Sequence, residues 1–403
     1  MALDSSSPSG ALTARIRTVP GARVAWRQAW GAYCAVRDGA RQARRFAGEV
    51  QRGVRLATDP VYARPYAAGG ESKPTVQRVA DNVAWAFQHG KANPFYYAFG
   101  MDKEGGSSES YMSVPQMMTV IDEQIRQDRS SYPTAILKDK YFFALVAQSL
   151  GHPSPRVHAV LTPAGVELLA PRRPLSFEDF VAQSPPIDGF AKAVGGEKGR
   201  GAFALRIEEG QAWVDGEPAE PGAIADRVGG RFLFQERIVQ HPALNALHAA
   251  SVNTLRLVTV LRDGRAEPLA AALRVGVGGC PVDNWSAGGL VVGLDLTSGA
   301  LFGKGLFKPG YGGDRGHGGV ADRHPDSGIV FEGYTLPFIP ESVQLAQQFH
   351  LDMGGPRSIG WDLALTPEGP SVVEGNSHWS GAMYMAIDPV FKSRYVEMAG
   401  IRE

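Results

Sequence analysis

The chain has 403 residues, 44% of them hydrophobic and 20% charged, enough for two or three compact units with a substantial core. Its 41 basic and 41 acidic residues cancel, so net charge gives no reason to invoke nucleic acid, and none is expected as a partner. Cys34 and Cys280 stand far apart in no metal spacing, which suits a reducing compartment and excludes a disulfide framework.

In chain order, residues 1–10 are rich in Ser, Pro and Gly and are expected to be disordered. Residues 11–56 carry a helical pattern, broken early at Pro20-Gly21, with arginines interleaved among Val24, Trp26, Trp30, Tyr33, Val36 and Phe46. Residues 1–57 hold ten arginines, no lysine and three acids. Such a basic segment suits contact with an anionic membrane surface or a protein partner. The plainer and favoured reading is a solvated helix that packs its aromatic side on the rest of the chain. No apolar run approaches the roughly 18–20 residues that span a bilayer. An apolar secretory core is absent from the N-terminus, so a cytoplasmic location is expected.

Residues 58–130 hold short helical signals separated by turns, with one helix expected over 115–130. A further helix starts at Asp139-Lys140 and stops before Gly151, and a strand follows over 157–161. Residues 190–194 form a short apolar strand carrying Lys192. The stretch Gly195-Gly196-Glu197-Lys198-Gly199-Arg200-Gly201 comes next, and another strand, 202–207, follows it. A strand-loop-strand with four glycines and two cations suits a flap over phosphates. It is neither a Walker loop nor a dinucleotide fingerprint, because no helix follows. Residues 232–239 are apolar-rich around Gln235-Glu236-Arg237, and strands are expected again over 253–261 and 268–277, carrying Arg256 and Arg274. Residues 276–320 are so rich in glycine that loops approaching a ligand are expected there. A helix over 340–353 leads into the last hairpin.

That hairpin is the most informative stretch. An apolar run holds Asp362, a Thr-Pro-Glu-Gly-Pro turn reverses the chain, and a second run ends in Glu374-Gly375-Asn376. Pairing brings Asp362 near Glu374 and Asn376, and the latter two share one strand face. Two carboxylates and an amide oxygen on one surface form a hard ligand set, which Mg²⁺ uses when phosphate oxygens complete its octahedron. Chemistry on ATP follows as the expectation. Arg256 and Arg274 lie on strands otherwise written in Leu, Val and Ala, and each offers a planar fork for carboxylate or phosphate. Structural ion pairs with Asp362 or Glu374 are the other reading, and the two can hold in turn. Lys192 in an apolar strand needs a partner or a ligand, unless it lies on an edge strand and snorkels to water. For Lys140, an ordinary exposed helix charge is the alternative.

Taken together, the ordered set resembles the ATP-grasp superfamily: Asp139-Lys140 through Pro153-Ser154-Pro155, Lys192 with the glycine flap, Gln235-Glu236-Arg237-Ile238, Arg256, Arg274, Asp362, Glu374 and Asn376. Four segments are similar to its sugar-transfer-associated branch: Ser251-Val252-Asn253-Thr254-Leu255-Arg256, Val282-Asp283-Asn284-Trp285-Ser286-Ala287-Gly288-Gly289, Ile359-Gly360-Trp361-Asp362 and Glu374-Gly375-Asn376. The resemblance covers roughly residues 130–385.

The resemblance implies an α/β chain with a nucleotide held between two α+β subdomains, preceded by a helical N-terminal region. The expected divisions are 1–57, 58–130, 131–245 and 246–403. By family pattern, Lys140 and Lys192 contact the α- and β-phosphates, and Gly196, Lys198, Gly199 and Gly201 belong to the flap. Backbone groups at Glu236 and Ile238 read adenine, Arg274 stabilises the transferring phosphoryl, and Asp362, Glu374 and Asn376 hold Mg²⁺. Arg256 anchors the acceptor carboxylate. His378, just beyond the metal strand, either touches the acceptor or assists its deprotonation, or is a surface histidine near a helix start. The implied reaction phosphorylates a small-molecule carboxylate to an acyl phosphate, which an amine or other nucleophile then displaces. A small-molecule or sugar kinase on the same scaffold is the alternative.

Overall fold

The computed structural model describes residues 22–63, 70–169, 172–195, 201–310 and 319–401, with side chains from residue 38 onward except that of residue 172. The Ser-rich residues 1–10, the flap residues Gly196, Lys198 and Gly199, and residues 311–318 of the glycine-rich stretch lie outside these. Internal contacts divide the chain into two units, Met1–Asp59 with Pro74–Asn93, and Pro60–Lys73 with Pro94–Glu403.

In the first unit, helix Ala22–Thr58 packs along helix Thr75–His89. Phe46 meets Phe87 edge-on, with ring centroids 5.0 Å apart. Glu49 accepts the Ala92 N–H at 3.0 Å, which ties the chain after the second helix back onto the first. Among the described residues, no helix is long and apolar enough to cross a membrane.

In the second unit, helix Val114–Gln127 is entered through a reciprocal capping box between Ser113 and Gln116. The single helix expected over 115–130 stops early. Arg129 adopts a left-handed φ of 53°, and a new helix, Ser131–Lys138, begins. Helix Lys140–Ser149 follows, its first turn capped by the Asp139 carboxylate, which accepts the Tyr141 and Phe142 N–H groups at 2.9 and 3.0 Å.

Two antiparallel sheets follow in sequence. The first contains β1 (Val157–Thr162), β2 (Gly165–Leu169), β3 (Arg172–Leu175), β4 (Ile187–Ala193), β5 (Phe203–Glu208), β6 (Gln211–Val214), β7 (Glu217–Ala219) and β8 (Phe232–Glu236). Its order is β3-β2-β1-β8-β4-β5-β6-β7. Alternate residues such as Phe203, Leu205 and Ile207 point into a core shared with Phe180, Ile224 and Phe234.

The second sheet contains β9 (Thr254–Arg262), β10 (Arg265–Val275), β11 (Leu290–Leu294), β12 (Leu301–Phe307), β13 (Gly319–Ala321), β14 (Ser358–Thr366) and β15 (Gly369–Asn376). Its order is β13-β12-β11-β10-β9-β14-β15. Leu255, Leu257, Trp361 and Leu363 join a core with Phe349 of helix Ile339–Met353. Strand alternation then turns Arg256 and Asp362 to the other face. The larger core is anchored by polar contacts as well: Trp361 donates its indole N–H to Thr259 at 2.8 Å, and Thr259 bonds His350 at 2.7 Å.

The glycine-rich stretch departs from the loop expectation. It contains β11, β12 and the start of β13. Its glycines make room for rings: a Cβ on Gly293 would lie 2.5 Å from Phe302 Cζ, and one on Gly305 would lie 2.6 Å from Phe331 Cε2. Low strand propensity is overridden here by aromatic packing.

Candidate active site

The β14–β15 hairpin pairs Asp362 directly with Glu374 and Gly360 with Asn376. A register shift between Asp362 and Leu363 leaves Val373 unopposed, so Val372 returns to the core while Glu374 and Asn376 stay with Asp362. On its other side β14 pairs with β9 and sets Asp362 opposite Arg256. Arg256 in turn pairs with Ala272 of β10, two residues before Arg274. Four adjacent strands thereby carry two carboxylates and two guanidiniums onto one face.

Asp362 is the centre of this cluster and is buried. Arg256 makes a close ion pair with its Oδ1, Arg274 lies 3.4 Å from its Oδ2, and Asn376 Nδ2 lies 3.4 Å from Oδ1. Burial pushes the Asp362 carboxyl well above the usual carboxylate range; Arg274 opposes this, while Glu374 and Asp283 add to it. Arg256 keeps a donor in reserve, since its Nε is buried with no hydrogen-bond partner.

Arg274 is held in a fork. It donates to Asp283 through NH2 at 2.9 Å and through Nε at 3.2 Å, and to Thr254 Oγ1 at 3.0 Å. Asp283 also accepts the Thr254 N–H at 3.0 Å. Burial alone would lower the guanidinium pKa, but Asp283 and Asp362 outweigh it and hold it above its ordinary value. In the sequence Asp283 belongs to a motif that assigns it no role. It stands next to Asn284-Trp285, where Asn284 accepts the Ser286 N–H, and nothing local in that pattern marks a partner for Arg274.

Two lysines approach from the other elements. Lys140 Nζ lies 3.6 Å from Glu374 Oε1. Lys192, on β4, has its ammonium pulled down to about 8 by burial, against the opposing charges of Glu374 and Asp362. Tyr384 also belongs here: burial, reinforced by the charge of Asp362, pushes its phenol far up and keeps it neutral. No sequence signal singles it out.

The structure therefore brings Lys140, Lys192, Arg256, Arg274, Asp362, Glu374 and Asn376 together. Gly201, outside that cluster, takes a left-handed φ of 72° just before β5, a conformation glycine adopts without strain. Glu236 and Ile238 line a cleft of about 850 Å³ beside Ser154, Val239, Leu345 and Ser371. Lys140, Lys192, Asp362 and Glu374 do not line that cleft. His378 is bracketed, its Nε2 2.9 Å from Asp122 Oδ1 and its Nδ1 3.0 Å from Ser377 Oγ.

The donor set fits Mg²⁺ with a polyphosphate. Asp362, Glu374 and the Asn376 carbonyl supply hard oxygens, and four cationic side chains surround them. Three of these cations pair with the carboxylates: Lys140 with Glu374, and Arg256 and Arg274 with Asp362.

Residues 124–398 match the sugar-transfer-associated ATP-grasp family. No curated protein matches the chain. Among solved structures, it is similar to an ADP complex of N5-carboxyaminoimidazole ribonucleotide synthetase, at 9% identity and TM-score 0.35, over 62% of this chain and 48% of that one. The same enzyme from Thermus thermophilus aligns at 14% identity and TM-score 0.37, over 66% of this chain and 54% of that one. D-alanyl-alanine synthetase A from Vibrio cholerae aligns at 12% identity and TM-score 0.37, over 67% of each chain. The chain thus spans about half the length of the first of these structures. With the family match covering more than half its length, the chain belongs to the sugar-transfer-associated ATP-grasp family and has the mixed α/β ATP-grasp fold.

Proposed function

We propose that the protein is an ATP- and Mg²⁺-dependent ligase that joins a small-molecule carboxylate to an amine or another nucleophile, releasing ADP and phosphate. The observation that carries this reading is the cluster on the β9–β10–β14–β15 face: Asp362 between two arginines, with Glu374, Asn376 and two lysines beside it. ATP-grasp membership supports the nucleotide, and the second arginine supports a carboxylate acceptor.

In this reading Lys140 and Lys192 bind the α- and β-phosphates, and Glu236 and Ile238 border the adenine. Asp362, Glu374 and Asn376 would hold Mg²⁺, which supplies charge neutralisation on the phosphate oxygens. Binding moves Arg256 and Arg274 off Asp362 and onto incoming anions. Arg256 anchors the substrate carboxylate with its spare Nε–H. One carboxylate oxygen attacks the γ-phosphorus, the bond to the bridging oxygen breaks, and ADP leaves with an acyl phosphate formed. Arg274, fixed by Asp283 and Thr254, meets the charge that spreads over the transferring phosphoryl. The nucleophile then adds to the acyl carbon, phosphate departs with the C–O electron pair, and the nucleophile's proton passes to His378, oriented by Asp122.

The test is a product balance. Purified protein is incubated with ATP, Mg²⁺ and a small-metabolite extract, with Asp362→Asn as control. ADP matched by free phosphate, and lost in the variant, is the expected result. ADP without free phosphate would place the protein among kinases, and AMP with pyrophosphate would overturn the acyl-phosphate route.

A further inference from the structure

A second cluster of ionisable side chains forms where the chain leaving β10 meets residues 324–328. One ring nitrogen each from His248 and His324, and one carboxylate oxygen of Asp326, all lie within 4.8 Å of one another. Among the described residues, no other three His, Cys, Asp or Glu side chains are placed this way. Both imidazoles are buried, at 6% and 0% exposure, while Asp326 reaches solvent.

The hydrogen bonds satisfy both nitrogens of His324 but leave His248 short of a partner. His324 Nε2 lies 2.8 Å from the Gly276 carbonyl, which can only accept, so Nε2 carries the proton and Nδ1 the lone pair. An N–H held by a backbone carbonyl is the arrangement that orients a metal-ligating histidine and fixes its tautomer. That Nδ1 accepts the Asp326 and Ser327 N–H groups at 3.2 and 3.4 Å, two long bonds that a metal ion would displace. His248 is less satisfied: its Nδ1 lies 3.4 Å from Asp326 Oδ2, and its Nε2 is buried with no hydrogen-bond partner. An unpartnered buried nitrogen is costly and points to a missing ligand.

The backbone is arranged around these rings. A Cβ on Gly276 would lie 2.3 Å from Ser251 Oγ and 2.8 Å from His248 Nε2, so only glycine lets the His248 ring lie this close. Gly278 donates its N–H to Asp326 Oδ2 at 2.6 Å, which aims the carboxylate. Two imidazoles and one carboxylate form a borderline ligand set suited to zinc and its first-row neighbours, unlike the all-oxygen set of Asp362, Glu374 and Asn376.

We propose that His248, His324 and Asp326 bind a divalent transition-metal ion, zinc being the representative, which clamps residues 276–278 against 324–326. The site is independent of the ligase reading and stands or falls without it. Residue 276 follows Arg274 by two positions, so the clamp would steady the strand end that carries that arginine.

The experiment uses the full chain, stripped with a chelator and kept in millimolar Mg²⁺ to fill the oxygen site. Zn²⁺ is then titrated in competition with a chromophoric chelator, and Co²⁺ uptake is followed by its visible absorption. One tight equivalent is expected, with nitrogen-type Co²⁺ bands. Asp326→Asn, an exposed and fold-sparing change, should weaken uptake at least about tenfold, and so should His248→Gln. Glu374→Gln should leave it unchanged. Absent stoichiometric uptake, uptake indifferent to Asp326→Asn and His248→Gln, or uptake abolished by Glu374→Gln would each overturn the proposal.

Discussion

Asp283→Asn isolates the contact that fixes Arg274. The substitution keeps the shape of the side chain and removes the charge opposite a buried guanidinium. At an effective dielectric of about 20, a charge pair at the observed 2.9 Å separation is worth about 6 kcal/mol before desolvation. Much of that is offset by the cost of burying both ions, and breaking such a pair from one side costs about 3–5 kcal/mol. Asparagine retains one acceptor for the Arg274 fork, and Asp362 remains as a second anion 3.4 Å away. The expected loss is therefore at the lower end, about 3 kcal/mol of unfolding free energy. Urea unfolding measures it, and a double-mutant cycle with Arg274→Met assigns it. The pair should show a coupling energy of at least about 1.5 kcal/mol, because in the double variant neither charge is stranded. Arg274 in the single variant should also lean toward Asp362, raising the KM for ATP and lowering turnover together. A change below about 0.5 kcal/mol in Asp283→Asn, or additive effects in the cycle, would refute the assignment of Asp283 as the residue that positions Arg274.

Three further outcomes follow from the same contacts. Glu374→Gln should reduce Mg²⁺-dependent turnover by at least about a hundredfold, yet shift stability by less than about 1 kcal/mol, because the Lys140–Glu374 pair is long and partly solvated. Initial rates and thermal melts on the same preparation check both halves. Gly375→Ala should cost about 1–3 kcal/mol, since a Cβ there would meet Leu137 Cδ2 at 2.7 Å and both Phe143 and Trp361 at 3.1 Å; a neutral melt would show that this part of the core is looser than its packing implies. His350 supplies a pH dependence. Burial pulls its pKa to about 4 in the folded chain, against about 6.5 unfolded. The unfolded chain thus binds the extra proton first, so the contribution is whole above pH 6.5 and is lost as pH falls toward 4, in all about 3 kcal/mol. The slope of stability against pH in that window should flatten in His350→Gln, and an unchanged slope would remove His350 as its source.

The parts of the fold that sequence revealed are those where local pattern and tertiary need agree. The Thr-Pro-Glu-Gly-Pro turn and its flanking apolar runs mark the hairpin, and Asp362 faces Glu374 within it through the register shift that leaves Val373 unopposed. Asp139 before an apolar run marks a helix start, and its carboxylate caps that helix. Where the two needs conflict, sequence reasoning fails. Gly293 and Gly305 suggest loops, yet they sit inside strands because Phe302 and Phe331 occupy the space their side chains would fill. The unopposed Val373 is invisible in a run of apolar residues, although it decides which neighbours of Glu374 face the core.

The candidate site divides in the same way. Arg256, Arg274, Asp362, Glu374 and Asn376 stand out as charged or polar residues in apolar strands, and strand alternation with the one register shift places them on one face. Asp283 and Asp122 do not stand out, because each meets its partner through tertiary approach from a loop or helix remote from the strand chemistry. Asp122 bonds His378 across 256 positions of sequence. Tyr384 sits in a short helix whose apolar pattern, Ala-Met-Tyr-Met-Ala-Ile, gives no hint of the carboxylate nearby. His248, His324 and Asp326 likewise form no recognisable spacing until the chain has folded.

Interception of the acyl phosphate tests the central claim most directly. Hydroxylamine would replace the natural nucleophile in a mixture of ATP, Mg²⁺ and a panel of small carboxylic acids. The account predicts hydroxamate formed in step with ADP and free phosphate, and lost in Asp362→Asn. ADP formed with neither hydroxamate nor free phosphate, or hydroxamate accompanied by AMP and pyrophosphate, would contradict it.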